Sequence, residues 1–105
     1  MMPTAKGSIS GSDSNFTSEF KVNGVPRHFS GTFTKAEKPW SASNATLTYE
    51  DAEDLNGSRD LDVVIGNDDV VMKIKVSGEI KGTLNEPFNP ISQAKGHGTW
   101  TVNKA

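Results

Sequence analysis

The chain has 105 residues, which sets one domain (1–105) and leaves little for a second. Its apolar share is 33%, its formal net charge is −2 and it contains no cysteine. These totals exclude disulfides, thiolate catalysis and cysteine-ligated metals, and they provide no bulk positive field for nucleic acid or an anionic membrane.

No apolar run approaches the length of a membrane span, and Met1-Met2-Pro3-Thr4-Ala5-Lys6 lacks the apolar core of a signal peptide. The expectation is a cytoplasmic domain, with a secreted mature form as the alternative. Ser, Thr, Asn and Gly replace much of the usual apolar content, which fits a thin-cored all-β domain. Asn15-Phe16-Thr17, Asn44-Ala45-Thr46 and Asn56-Gly57-Ser58 match the glycosylation sequon. In a chain so rich in these residues they read as coincidence.

Four triplets recur along the chain: Gly7-Ser8-Ile9, Gly31-Thr32-Phe33, Gly82-Thr83-Leu84 and Gly98-Thr99-Trp100. In a strand, positions i and i+2 share a face, so each glycine stands beside the apolar residue on the core side. Such glycines mark bends, close backbone approach or empty volume. Gly31 and Gly82 are expected to be bend points.

From Asn15 to Phe33 the pattern is a hairpin about Asn23-Gly24, the strongest two-residue turn signal. Pairing Val22 with Val25 places Phe16, Phe20, Val22, Val25, Phe29 and Phe33 on one face. It also sets Glu19 opposite His28, and Arg27 on the apolar face opposite Phe20.

Two longer polar connections are expected, about Thr34–Asn44 and Asn85–His97. Each carries an acid, a proline and an aromatic ring: Glu37-Lys38-Pro39-Trp40 and Glu86-Pro87-Phe88. With the preceding Gly-Thr-apolar triplets they make a loose internal echo, short enough to arise by chance. Ala45, Leu47 and Tyr49 alternate as a strand, and Glu50 to Asn56 reads as one helical turn before Gly57.

A second hairpin is expected from Asp60 to Val76, turning at Gly66-Asn67-Asp68-Asp69. Pairing Ile65 with Val70 sets Val63 against Met72 and Leu61 against Ile74 on the core face. On the other face Asp62 then meets Lys73 and Asp60 meets Lys75, favourable cross-strand charge pairs. Even positions from Val70 to Leu84 stay apolar or glycine. They form one bent strand, or two strands joined by Ser77-Gly78-Glu79. Trp100 and Val102 close the chain as a last strand.

The expected fold is all-β: a small antiparallel β-barrel or strongly coiled β-sandwich of about seven or eight short strands. Its core is expected to hold Phe16, Phe20, Val22, Phe29, Phe33, Leu47, Tyr49, Leu61, Val63, Ile65, Met72, Ile74, Ile80, Leu84, Trp100 and Val102.

Chemistry-bearing motifs are sparse. Trp40 and Phe88 either present rings to a ligand or fold back to plug an open end of the core. Arg27 either binds an anionic group or reaches the rim. Asp54 to Asp60 has oxygen ligands at alternating positions but lacks the residue order and closing Glu of a calcium loop. His28 and His97 have no zinc spacing, and no nucleophile elbow, phosphate loop or dinucleotide fingerprint occurs. No cofactor and no metal are expected.

Three functions follow. The first is a non-catalytic binding module for a small molecule or glycan, using Trp40, Phe88, Arg27, Tyr49 and His97 near one end. The second is a protein-interaction or self-assembling module with a protein partner or homo-oligomer, motivated by edge strands and an outward Val64–Val71 pair. The third is a small barrel isomerase or cyclase with His97 as base. Nucleic acid and membrane are not expected partners.

Overall fold

The computed structural model describes residues 3–102. Asn23 and Gly24 both take positive φ, 53° and 80°, as a two-residue turn matched to strand twist requires. They join β1 (Thr4–Val22) to β2 (Val25–Thr48). Val22 pairs with Val25, Phe20 with Arg27 and Glu19 with His28, the register expected from the sequence. His28 Nε2 lies 3.2 Å from Glu19 Oε2.

The second hairpin differs from expectation. Gly66 to Asp69 is no turn. β3 (Gly57–Ile74) bends through it and pairs along both halves with β4 (Gly78–Val102). The turn falls at Lys75, Val76 and Ser77, so Val70 to Leu84 belongs to two strands. Ile65 therefore pairs with Ser92, Val70 with Gly82, Val63 with Ala94 and Met72 with Ile80. Asp62 meets Lys95 at 3.4 Å instead of Lys73. Asp60 still meets Lys75, but through the backbone: Lys75 N donates to Asp60 O at 2.9 Å.

The strands form one antiparallel sheet in the order β1-β2-β4-β3, not closed into a barrel. Four long strands thus stand where seven or eight short ones were expected. Bulges allow a strand to turn a corner without ending. The register breaks between Gly7 and Ile9 and on both sides of Asp13 in β1, and on both sides of Asn67 in β3. Gly31 and Gly82, the expected bend points, lie in unbroken register with no bulge at either. Thr34–Asn44 and Asn85–His97 are strand rather than loop.

The two hairpins are built alike. From Val22↔Val25 to Thr4↔Thr48, β1 advances 18 residues while β2 advances 23. From Ile74↔Gly78 to Gly57↔Trp100, β3 advances 17 and β4 advances 22, again five more. Adding 54 to a β1 number and 51 to a β2 number carries Phe20↔Arg27, Phe16↔Gly31, Asp13↔Glu37 and Thr4↔Thr48 onto four pairs of the second hairpin. These are Ile74↔Gly78, Val70↔Gly82, Asn67↔Phe88 and Ser58↔Thr99. The sequence echo is therefore structural in its first part, Gly31-Thr32-Phe33 onto Gly82-Thr83-Leu84. In its second part Pro39 answers to Pro90 and Trp40 to Ile91, not to Phe88.

One continuous core fills the coil of the sheet, and every residue expected there is buried except Val102, which is 41% exposed at the end of β4. Ile9, Leu55, Val70, Trp40 and Phe88 join it. The glycines leave no pocket. A Cβ on Gly31 would lie 2.0 Å from the His97 carbonyl oxygen, and one on Gly7 would lie 1.8 Å from that of Glu19. These positions are glycine because backbones approach closely there.

The connection from β2 to β3 contains a 3₁₀ turn, Ala52–Asp54, where a helical turn was expected. Asp51 caps it by accepting from Glu53 N at 2.9 Å. Its carbonyls and that of the following Leu55 are met by Arg27 Nη1, at 3.1 Å to Ala52 O and 2.9 Å to Leu55 O, and by Ser77 Oγ, at 2.8 Å to Asp54 O. Trp100 Nε1 donates in turn to Ser77 Oγ at 3.0 Å. No helix among the described residues is long and apolar enough to cross a membrane.

Candidate functional site: the split between β2 and β4

β2 and β4 pair from Arg27↔Val102 to Phe33↔Gly96, and again from Asn44↔Thr83 to Thr48↔Glu79. Between those blocks the backbones part. Pro39, Pro87 and Pro90 fall in the parted stretches, and proline has no N–H to give to a ladder. β1 holds the outer side of the β2 stretch through Asp13↔Glu37 and Gly11↔Trp40, and β3 holds β4 through Asn67↔Phe88.

Side chains bridge the split instead. Asn85 Nδ2 donates to Ser41 Oγ at 3.0 Å and to Ser43 Oγ at 2.9 Å, while its Oδ1 accepts from Ser43 N at 3.1 Å. Ser92 Oγ donates to Glu37 Oε2, and Lys38 Nζ donates to Asn89 O. Lys38 Nζ also stands 4.8 Å from the centroid of the Phe88 ring. Asn89 is the residue that answers to Lys38 under the 51-residue shift, so this bond crosses the centre of the repeat.

Two grooves flank the Lys38–Phe88 bridge. The larger, about 600 Å³, is walled by residues 38–41 of β2 and 85–88 of β4. The smaller, about 360 Å³, lies among Lys35, Glu37, Lys38 and residues 88–92. The 51-residue shift carries 38–41 onto 89–92, and its reverse carries 85–88 onto 34–37. The two grooves are thus counterparts. Lys35 and Lys38 offset Glu37 and Glu86, so the lining has no net charge.

Trp40 and Phe88 sit together in the larger groove, but folded inward at 6% and 3% exposure. They act as plugs, and their ring faces are not offered for stacking. Trp40 stacks on Phe33 with centroids 6.3 Å apart, and its buried Nε1 makes no hydrogen bond. Buried indole N–H groups normally find an acceptor; this one is closed off from solvent, and the adjoining ring edge lies against β1 at Gly11.

The other three residues expected at the site do not join it. Arg27 is committed to the 3₁₀ turn. Tyr49 is buried in the core, its N donating to Pro3 O at 3.1 Å. His97 is exposed in β4 opposite Asp60, beside a shallow groove with Asp62, Lys75 and Lys95. The Val64–Val71 pair does not exist: Val64 faces Gln93 and Val71 faces Lys81. No group of three or more His, Asp or Glu able to hold a metal occurs among the described residues.

Sequence reasoning missed Lys38, Ser41, Asn85, Glu37 and Ser92. Polar residues in a supposed loop show no periodicity, and only the prolines signalled that the ladder breaks here. Among known proteins, no family model, no curated protein and no solved structure matches the chain.

Proposed function

We propose that the chain is a non-catalytic binding module whose ligand lies in the larger groove between β2 and β4. The carrying observation is the groove itself, about 600 Å³ between two unpaired strand stretches, with the polar groups of Ser41, Asn85 and Glu86 on its lining and room for a small molecule or a sugar unit. The scaffold also supports this reading. The groove walls are strands anchored on their outer sides, so the site is held open by the fold. In this reading the four bent strands act as eight half-strands of a strongly coiled sandwich, and the split is its mouth.

Recognition rests on hydrogen bonding rather than on stacking, because the rings are turned inward. Asn85, Ser41 and Glu86 supply the polar groups that meet the ligand. A screen of polar small molecules and glycans against wild type and E86A tests the reading. The variant removes an exposed carboxylate from the groove lining that makes no ion pair among the described residues. The expected result is a hit whose affinity falls about tenfold or more in E86A, with folding intact. A hit bound equally by both chains places the ligand elsewhere.

A protein-interaction module is the second reading. Ile91 is 54% exposed and Val76 is 66% exposed on the same chain, and β1 and β3 form the outer edges of the sheet. Concentration-dependent association, weakened by a lysine at Ile91, is its expected signature.

A further inference from the structure

We propose that Ser92 is a nucleophile, that Glu37 is its base, and that the pair accepts the acyl group of an activated ester bound in the smaller groove. This activity is separate from the ligand of the larger groove and does not depend on it. Ser92 Oγ donates to Glu37 Oε2, and no other serine or threonine among the described residues donates to a carboxylate. Both groups are drawn out of bulk water: Ser92 is 8% exposed, and so is the Glu37 side chain. Yet both line a groove of about 360 Å³, from which an electrophile reaches them. A hydroxyl held by a carboxylate at a cavity wall is the pairing that nucleophilic catalysis uses.

The internal repeat supplies a contrast. The 51-residue shift carries Ser41 onto Ser92, so each groove has a serine at the same place. Ser41 Oγ accepts from Asn85 Nδ2 and is bonded to no carboxylate, so only Ser92 has a partner able to take its proton. Lys35 Nζ lies 4.0 Å from the same Glu37 oxygen and is half exposed, a positive charge beside the forming oxyanion. Pro90 and the exposed Ile91 give the groove an apolar side suited to a short acyl chain.

As Ser92 Oγ bonds to the ester carbon, its proton passes to Glu37 Oε2 and the carbonyl oxygen takes the negative charge. The bond to the leaving group then breaks, the leaving group departs as its anion, and an acyl-serine remains. Glu37 gives its proton to solvent. Water next attacks the acyl-serine, the carboxylic acid leaves, and Ser92 Oγ recovers a proton.

The test incubates 4-nitrophenyl acetate with wild type, E37Q and S92A, and locates acetyl groups by peptide mass after an acid quench. Hydroxylamine separates serine esters, which it cleaves, from lysine amides, which it leaves. The expected result is an ester-linked acetyl on Ser92 and none on Ser41. Acetylation of Ser92 is expected to be about a hundredfold slower in E37Q, which keeps an acceptor but takes no proton. S92A is expected to release 4-nitrophenolate only at the rate set by its lysines. Equal labelling of Ser41 and Ser92, an unchanged rate in E37Q, or release that S92A leaves intact overturns the proposal. Should E37Q fail to fold, Ser92 against Ser41 in wild type decides: a preference for Ser92 supports the proposal, and no preference overturns it.

Discussion

Lys38 Nζ lies 4.8 Å from the Phe88 ring centroid, across two strands whose backbones do not pair at that point. Where β2 and β4 part, side chains take over the bonding that a ladder would have supplied. Each such bond is modest, about 0.5–1.5 kcal/mol net. The split is therefore the most easily opened part of an otherwise continuous sheet.

Asn85 provides the direct check of that statement. It holds Ser43 N at 3.1 Å and two serine hydroxyls. In N85A, amide exchange at Ser43 is expected to accelerate at least tenfold, while global stability in urea falls by about 1 kcal/mol. Unchanged exchange at Ser43 means that other groups hold the split together.

Ser77 carries more weight. It is fully buried, accepts from Trp100 Nε1 and donates to Asp54 O, so one hydroxyl ties the 3₁₀ turn to β4. S77A leaves a buried donor and an acceptor unmatched, each worth about 1–3 kcal/mol. Urea unfolding is expected to show a loss of about 2–4 kcal/mol. A loss below 1 kcal/mol contradicts this role.

Arg27 belongs to the same device from the other side. R27A is expected to cost about 1.5–3 kcal/mol by removing two bonds to carbonyls from a charged donor. R27K recovers only part of this, because both bonds come from Nη1 at the tip of the longer arginine side chain and the shorter lysine places its ammonium short of the two oxygens. Full recovery by lysine in thermal melts contradicts the geometry.

The glycines separate by what surrounds them. Gly24 has positive φ and open space, so G24A costs about 1–2 kcal/mol of backbone strain. Gly31 faces the His97 carbonyl, and G31A is expected to cost about 4 kcal/mol or more, or to prevent folding. Similar midpoints for the two variants contradict the close approach.

The first hairpin was legible because Asn23-Gly24 fixes both the turn and the register. The second was not, for a physical reason. A hairpin at Gly66–Asp69 and a strand bent there put the same alternate residues on the core face, so Leu61, Val63, Ile65, Val70, Met72 and Ile74 are buried either way. Core patterning cannot choose between them. The charge pattern misled as well, since Asp62 had two lysines within reach and pairs with Lys95. Trp40 and Phe88 were legible as aromatics in polar surroundings. Their meeting across the split was not, because it depends on a five-residue offset that no local pattern records.

A backbone amide shift map recorded with a bound ligand checks whether that ligand sits between β2 and β4. Shifts are expected to concentrate at Lys38, Trp40, Ser41, Asn85, Glu86 and Phe88, with Arg27, Tyr49 and His97 undisturbed. Shifts centred on His97, on the 3₁₀ turn or along the outer edges of β1 and β3 would contradict it.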